Sequence, residues 1–263
     1  MQEHPFPTST LLGRGAWLLP LLLGALLTGC PDEPTPEPEP EPVPWATVAR
    51  ARPEALLSVS GRSRSDVWAV GADRGRGPAV LHYDGTAWRE LPTGLRGDLW
   101  WVHAFQDGPV LMAGGNATIL RYEGGAFTRM STPGLARHTV YGVWGSRPDD
   151  VYAVGSVSSR SGFIWHYDGT RWSELPVPHA DLPRTADGDI PGFFKVWGTG
   201  SDVYVVGAGG VVLRSRAGGP FAVIPTGTTS RLFTVHGAGG VVVVVGGEGE
   251  GEILELDEAA GAS

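Results

Sequence analysis

The sequence has few of the residues on which many catalytic and nucleic-acid-binding sites depend. Cys30 is the only cysteine and Lys195 the only lysine, and the formal charge is −8. No disulfide can form within the chain, and nucleic acid is disfavoured as a partner because phosphate binding needs a clustered positive surface. The sequence also lacks a His-Glu-x-x-His motif and a phosphate-binding glycine loop, and we expect no cofactor and no metal.

The apolar run near the N-terminus is too short to cross a membrane. It extends from Ala16 to Leu27, whereas a bilayer core of about 30 Å requires about 20 residues. A run of this length predicts a signal peptide, here over residues 1–29. Its last residues, Leu27 to Cys30, resemble the lipobox of bacterial lipoproteins. The resemblance implies that Cys30 is lipidated and anchors the protein to a membrane; the alternative is an ordinary secretory signal followed by an unpaired cysteine.

Residues 31–44 alternate proline with acidic residues. Such a composition cannot bury a core and favours polyproline II, which rises about 3.1 Å per residue. We therefore predict that residues 30–44 comprise the lipidated cysteine and a disordered tether.

The rest of the chain is a repeat. Five segments align, each followed by an apolar strand that ends in glycine, by a third strand and, in four cases, by a strand that begins at an aromatic residue. The five first segments are Leu57–Gly61, Trp100–Ala104, Tyr141–Gly145, Phe194–Gly198 and Phe233–Gly237. Four short strands per 40 to 50 residues are typical of propeller blades. The sequence thus predicts an all-β fold, a five-bladed β-propeller over residues 45–258, with a disordered tail at 259–263.

The spacing also predicts how the ring closes. The fifth unit ends without an aromatic fourth strand, but Trp45 lies 16 residues before Gly61, as Trp88 lies 16 before Ala104. We expect residues 45–48 to supply the missing strand, which would remove exposed strand edges. The alternative is that the five units are part of a larger ring.

The repeats resemble those of propeller-repeat lipoproteins of myxobacteria. The resemblance rests on Val-Trp-Gly, on Asp-Val-Tyr-Ala-Val-Gly and on His-Tyr-Asp-Gly-Thr-Arg-Trp, and it covers roughly residues 45–258. It implies a repeat-built protein at the cell surface and no catalytic residue. The turn that precedes Trp88 is also distantly similar to the Asp-box of sialidase-like propellers, with a spacing that differs by one residue.

Departures from the repeat are where a ligand site is expected. The join between the third and fourth units carries an insert at 177–192, and the loops Ala72–Gly77 and Ser156–Gly162 should emerge on the same face. Arginine suits carboxylate and phosphate groups. The candidate ligand-binding residues are Arg74, Arg76, Arg160, His179, Asp181, Arg184, Asp187 and Asp189.

These features predict a non-catalytic propeller for binding or scaffolding at the cell envelope. The expected protein is a monomer, held at the outer membrane by lipid on Cys30, with a glycan or an envelope protein as its ligand. The alternative is a glycoside hydrolase of sialidase or arabinanase type. Such an enzyme needs paired carboxylates, whereas Glu90 and Glu174 recur at one repeat position and are not such a pair.

Overall fold

The computed structural model describes residues 46–50, 52–199 and 201–257. In these ranges the regular structure is entirely β, with nineteen strands in five antiparallel sheets. No helix in the same ranges could cross a membrane. The predicted signal peptide, Cys30, the tether, Trp45 and the tail at 259–263 lie outside the described residues.

Each sheet is a meander of strands consecutive in the chain. Sheet 1 contains β1 (Leu56–Ser63), β2 (Asp66–Asp73), β3 (Pro78–Tyr83) and β4 (Trp88–Glu90). Sheet 2 contains β5 (Leu99–Ala104), β6 (Val110–Gly114), β7 (Ile119–Glu123) and β8 (Ala126–Arg129). Sheet 3 contains β9 (His138–Arg147), β10 (Asp150–Val157), β11 (Ser161–Tyr167) and β12 (Trp172–Glu174). Sheet 4 contains β13 (Phe193–Thr199), β14 (Asp202–Gly207), β15 (Val212–Arg216) and β16 (Ala222–Val223), and sheet 5 contains β17 (Leu232–Ala238), β18 (Val241–Gly246) and β19 (Glu252–Asp257).

The core consists of four apolar layers, each between two consecutive sheets. The layer between sheets 1 and 2, for example, joins Trp68 and Val80 of sheet 1 to Val102 and Met112 of sheet 2. Equivalent layers join sheets 2 and 3, 3 and 4, and 4 and 5. We call the face that a sheet turns to its predecessor the leading face, and the opposite face the trailing face. Because successive residues of a strand point to opposite faces, the central strands of an inner sheet must be apolar throughout.

The first strand of every sheet carries a β-bulge at the same repeat position. In β5, Leu99 pairs with Gly114 and Trp101 pairs with Ala113, so Trp100 is left between them. A bulge shifts the alternation of side chains by one residue. It therefore brings Leu99 and Val102, three residues apart, onto the same leading face, where both are buried. The bulged residues are Leu57, Trp100, Tyr141, Phe194 and Phe233.

The predicted closing strand at 45–48 is not formed in the described part of the chain. Residues 46–48 have no strand structure and are exposed, and sheet 5 has three strands. Just before β1, Arg52 pairs with Glu54 and with Glu90 of β4, the latter at 2.9 Å. The chain is thus held beside the outer strand of sheet 1 as it approaches β1. Residue spacing alone did not reveal this long-range contact.

One glycine in each second strand is required by the bulge opposite it. The sequence predicted that this glycine ends the strand, which holds for β6, β14 and β18, whereas β2 continues to Asp73 and β10 to Val157. A Cβ at Gly114 would overlap the backbone carbonyl of Asp98, and Gly71, Gly155, Gly207 and Gly246 face a carbonyl in the same way. The next residue, Gly115, has room, since its Cβ would lie 4.0 Å from the Asp98 oxygen. The repeated glycine is therefore a packing requirement of every sheet.

We predict that Gly114→Ala destabilises the protein, whereas the neighbouring Gly115→Ala does not. Relief of the overlap requires β5 and β6 to separate, and overpacking of this kind costs about 1–3 kcal/mol. Thermal unfolding of the two variants and the parent chain tests this. Equal melting temperatures for the two alanine variants contradict the packing role.

Candidate functional site

The bulges turn four large aromatic side chains into a row that crosses sheets 2 to 5. Ring centroids are 5.5 Å apart for Trp100 and Tyr141, 6.0 Å for Tyr141 and Phe194, and 5.8 Å for Phe194 and Phe233. Leu57 occupies the same repeat position in sheet 1. Leu57, Trp100 and Phe233 are exposed, while Tyr141 and Phe194 are half-buried. We call these five residues, four of them aromatic and one a leucine, the aromatic row.

The aromatic row lies at the same end of the sheets as two sets of loops. The row residues follow the segments that lead into each first strand, and the start of β1 is paired with the end of β2, through Leu56 and Gly71. The loop after each second strand, such as 74–77, therefore emerges beside the row. The exposed apolar surface and the loops together form one continuous candidate face.

Lys195 and His103 lie on the first strands behind the row. The Lys195 ammonium stands 3.3 Å from the ring centroid of Trp101, and burial lowers its pKa to about 8. Burial likewise lowers the pKa of His103 to about 4, against the opposing effect of a hydrogen bond to the Gly145 backbone; the positive charge of Lys195 lowers it further. The imidazole is consequently neutral at pH 7 and acts as a packing and hydrogen-bonding group between sheets 2 and 3.

The structure brings Arg160 together with the 177–192 insert. The guanidinium of Arg160 pairs with Asp187 at 2.8 Å, both side chains being exposed. Arg184 donates to the backbone carbonyls of His179 and Gly188, at 2.9 and 3.4 Å. Arg184 therefore stabilises the insert, and a ligand that used it would compete with these carbonyls.

The insert is also part of the core. Leu182 and Ile190 are buried in the apolar layer between sheets 3 and 4. His179 and Asp181 are exposed, and Asp189 is half-buried. Within the described ranges no group of three or more His, Cys, Asp or Glu side chains could hold a metal ion. The ligand-binding role of the insert residues stays a prediction.

Arg74 and Arg76 lie elsewhere, in a groove of sheet 1 of about 390 Å³. The groove is also lined by Arg50, Arg52 and Glu90. Both Arg74 and Arg76 are exposed. Arg160 is not among the residues that line this groove, so the predicted set is divided between two places.

A larger groove, of about 630 Å³, lies between sheets 3 and 4 and contains a His–Asp pair. His166 Nε2 is 2.8 Å from Asp150, and His82 is 3.0 Å from Asp66 at the same position of sheet 1. The pair joins the second strand to the third in both sheets. Because the same pair occurs at the same position of two sheets, we assign it a structural role, holding the second strand to the third, and not a ligand-binding role specific to this groove.

The residues of the aromatic row align in the sequence, but the sequence alone did not identify them as a site. The five residues head the five aligned segments, so a column of large apolar residues was present in the alignment. What the sequence does not show is the bulge, because an extra unpaired residue leaves no mark in a pattern of alternating side chains. Without knowledge of the bulge, the five residues are interpreted as ordinary core positions of a strand.

No protein-family model matches the sequence, and no curated protein matches it. Several solved structures share the fold. The WD40 repeats of RRP9 match with a TM-score of 0.58 and 13% identity, over 78% of this chain and 61% of that one. A structure of the nidogen/laminin complex matches with a TM-score of 0.55 and 12% identity, over 79% and 77% of the two chains.

The computationally designed protein Ika8 matches with a TM-score of 0.55 and 15% identity, over 76% of this chain and 57% of its own. This chain therefore spans less than two thirds of the length of Ika8 and of the RRP9 repeats. WD40 repeats form β-propellers. The five sheets are thus similar in arrangement to part of a β-propeller.

We predict that stability falls between pH 6.5 and pH 4 partly through His103. Its folded pKa of about 4 is below the unfolded value of about 6.5, so the unfolded state binds the proton first, and the loss reaches about 3 kcal/mol at pH 4. Chemical denaturation of the parent and of His103→Gln at pH 7 and pH 4.5 measures it. The variant should lose less stability on acidification than the parent.

His179→Gln is the control, since His179 is an exposed residue of the 177–192 insert. It should follow the parent at both pH values. If His103→Gln follows the parent too, burial of a neutral imidazole is not a source of the acid sensitivity.

Proposed function

We propose that this chain is a non-catalytic binding protein, built from five propeller blades, that holds its ligand on the aromatic row. The observation that carries the proposal is the bulge in all five first strands, which directs large apolar side chains away from the core and leaves three of them exposed. Exposed apolar surface of this kind marks interaction sites.

A protein ligand fits the aromatic row better than a glycan. The rings pack against one another edge to face or stacked, and their only polar groups are the Tyr141 hydroxyl and the Trp100 indole nitrogen. Aromatic anchors on such surfaces contribute most of the binding energy of protein interfaces. The exposed Arg74 and Arg76 at the same end of sheet 1 add affinity for carboxylates. We therefore propose an envelope protein with apolar and acidic side chains in its binding segment.

The composition of the first strands supports a non-catalytic role. None of the strands β1, β5, β9, β13 and β17 contains an aspartate or glutamate. Glycoside hydrolysis requires two carboxylates on either side of the bond that is cleaved. The glycosidase alternative therefore has no support at the aromatic row.

Membrane attachment through Cys30 is a separate part of the proposal. It rests on the lipobox resemblance and on the Pro/Glu tether, which would hold the sheets away from the lipid surface. Two or more acyl chains are needed for durable anchoring. We propose the bacterial outer membrane as the location.

We predict that Trp100→Ala weakens ligand binding while Trp88→Ala does not. The two tryptophans are matched controls: they are 37% and 38% exposed, and each makes one ring contact with a tyrosine, at 5.5 and 5.4 Å. Loss of an aromatic anchor costs about 2 kcal/mol, or at least about tenfold in affinity. Only Trp100 belongs to the aromatic row.

The measurement uses the purified full chain with Cys30→Ser, applied to an array of peptides with apolar and acidic side chains and to a glycan array. Peptides that bind the parent should no longer bind Trp100→Ala, and they should still bind Trp88→Ala. Equal effects of the two substitutions contradict the proposed site, and binding confined to the glycan array shows that the ligand class is wrong. Turnover of chromogenic glycosides supports the glycosidase alternative.

We predict that Cys30→Ser moves the protein from the membrane fraction to the soluble fraction of its bacterial host. The substitution removes the only thiol that could be acylated. Fractionation followed by immunoblotting measures the shift. A variant that stays with the membrane contradicts anchoring through Cys30.

A further inference from the structure

Three repeat positions that are buried inside the series of sheets are exposed at its two ends. Val59 is 68% exposed, whereas its equivalents in sheets 2 to 5 are buried: Val102, Val143, Val196 and Val235. Leu56 is 46% exposed, and its equivalents Leu99, Val140, Phe193 and Leu232 are buried. Both residues lie on the leading face of sheet 1, which has no preceding sheet in the described part of the chain.

The trailing face of sheet 5 shows the complementary exposure. Ile253 is 75% exposed, whereas its equivalents are buried: Val80, Ile119, Ile164 and Val212. Beside it, Val243 and Val245 are half-buried, although their equivalents in sheet 4, Tyr204 and Val206, are fully buried. This trailing face is therefore an apolar surface that no further sheet covers within the described residues.

The four internal layers show what fits such a surface. Between sheets 4 and 5, Val235 and Leu232 of β17 pack against Tyr204, Val206 and Val212. The corresponding residues at the open ends are Val59 and Leu56 on one side, and Val243, Val245 and Ile253 on the other. The repeat thus supplies both halves of a fifth layer of the same kind.

The inner edge of the layers between sheets 3 and 4 and between sheets 4 and 5 adds a second element of fit. The rings of Trp144 and Trp197 lie where a Cβ would stand at Gly198 and Gly237 of the next sheet, so each ring packs on a glycine. At the open end of sheet 5 the equivalent ring is that of His236, and at the open end of sheet 1 the equivalent glycine is Gly61. Both residues are exposed. Between sheets 2 and 3 this position is held by His103, whose imidazole forms a hydrogen bond with the backbone of Gly145.

Loops also meet in the internal layers. The loop after a second strand contacts the segment that leads into the next sheet, as where the amide of Gly97 donates to Asp73 and the amide of Gly210 donates to Ser230. At the open ends, the corresponding elements are the loop after β18, where Glu248 pairs with Arg231, and the segment before β1, where Arg52 pairs with Glu54 and Glu90.

From these observations we propose that the chain associates head to tail with a second copy of itself, the trailing face of sheet 5 receiving β1 of the partner. The contact is heterologous, since it joins two different surfaces. Repetition of this contact gives a closed ring or an open series of copies, according to the rotation between neighbouring copies. The proposal replaces the expectation of a monomer and does not depend on the ligand of the aromatic row.

The test is disulfide cross-linking between Val59→Cys and Ile253→Cys, each in the full chain with Cys30→Ser and each with a different tag. A head-to-tail contact gives a covalent dimer that carries both tags only when the two variants are mixed. Cross-linking of either variant alone means that like surfaces meet, which overturns the proposal.

A chain with both cysteines distinguishes the remaining cases. If the chain closes on itself, as a five-bladed ring, this double variant forms an internal disulfide and the mixed single variants form none. That result, or the absence of any cross-link, overturns the proposal.

Analytical ultracentrifugation gives an independent measurement on the uncross-linked chain. The Cys30→Ser parent should sediment as two copies or more. Val59→Asp places a charge in the contact and should weaken association at least about tenfold, because burying an unpaired charge is costly. Leu135→Asp, at a loop residue that is 77% exposed, should leave association unchanged. A monomeric parent, or equal association of the two variants, contradicts the proposal.

Discussion

The whole fold depends on the packing of each first strand against the sheet that precedes it. One valine per first strand enters the layer formed by the preceding sheet, and from sheet 2 to sheet 5 it is buried each time. A sheet with two apolar faces is not stable alone, because its side chains must be removed from water on both sides. Consecutive sheets therefore stabilise one another, and the series is as stable as its neighbouring contacts allow.

This dependence explains why the sequence is so regular. The glycine opposite each bulge leaves room for a neighbouring carbonyl, and the Val-Trp-Gly tripeptide of sheet 4 provides the inserted valine, the ring and the glycine that accepts the ring of Trp144. Positions of this kind are determined by local contact between adjacent sheets. For that reason an alignment of the repeat predicted them without any structure.

Strand positions followed from the sequence with small errors. Of the four strands predicted to begin at an aromatic residue, those at Trp88 and Trp172 begin there. The strand predicted at Phe127 begins one residue earlier, at Ala126, and the strand predicted at Phe221 begins one residue later, at Ala222. The prediction of a closing strand was wrong for residues 46–48, and the aromatic row was not predicted, for different reasons. Closure depends on contact between the two ends of a long chain, which residue spacing does not encode. The row depends on bulges, whose extra residue is invisible in a pattern of alternating side chains.

The candidate residues chosen as departures from the repeat had a mixed outcome. Arg160 and Asp187 are neighbours, as their position in two loops of one face suggested, but Arg184 is engaged by the insert itself. The insert is long because it contributes Leu182 and Ile190 to a core layer. A departure from a repeat can therefore serve packing as well as binding, and composition alone does not separate the two.

The bulges have an evolutionary consequence. The bulged residue lies outside the strand pairing, and three of the five are exposed, so its identity is only weakly tied to the stability of the sheets. Leucine, tryptophan, tyrosine and phenylalanine all occur at this one position, whereas the position two residues later is valine in all five units. Selection for a new partner can act on these five positions while the glycines and valines that hold the sheets together stay unchanged. Under the proposed function, the residues that contact the ligand are therefore separate from the residues that stabilise the sheets.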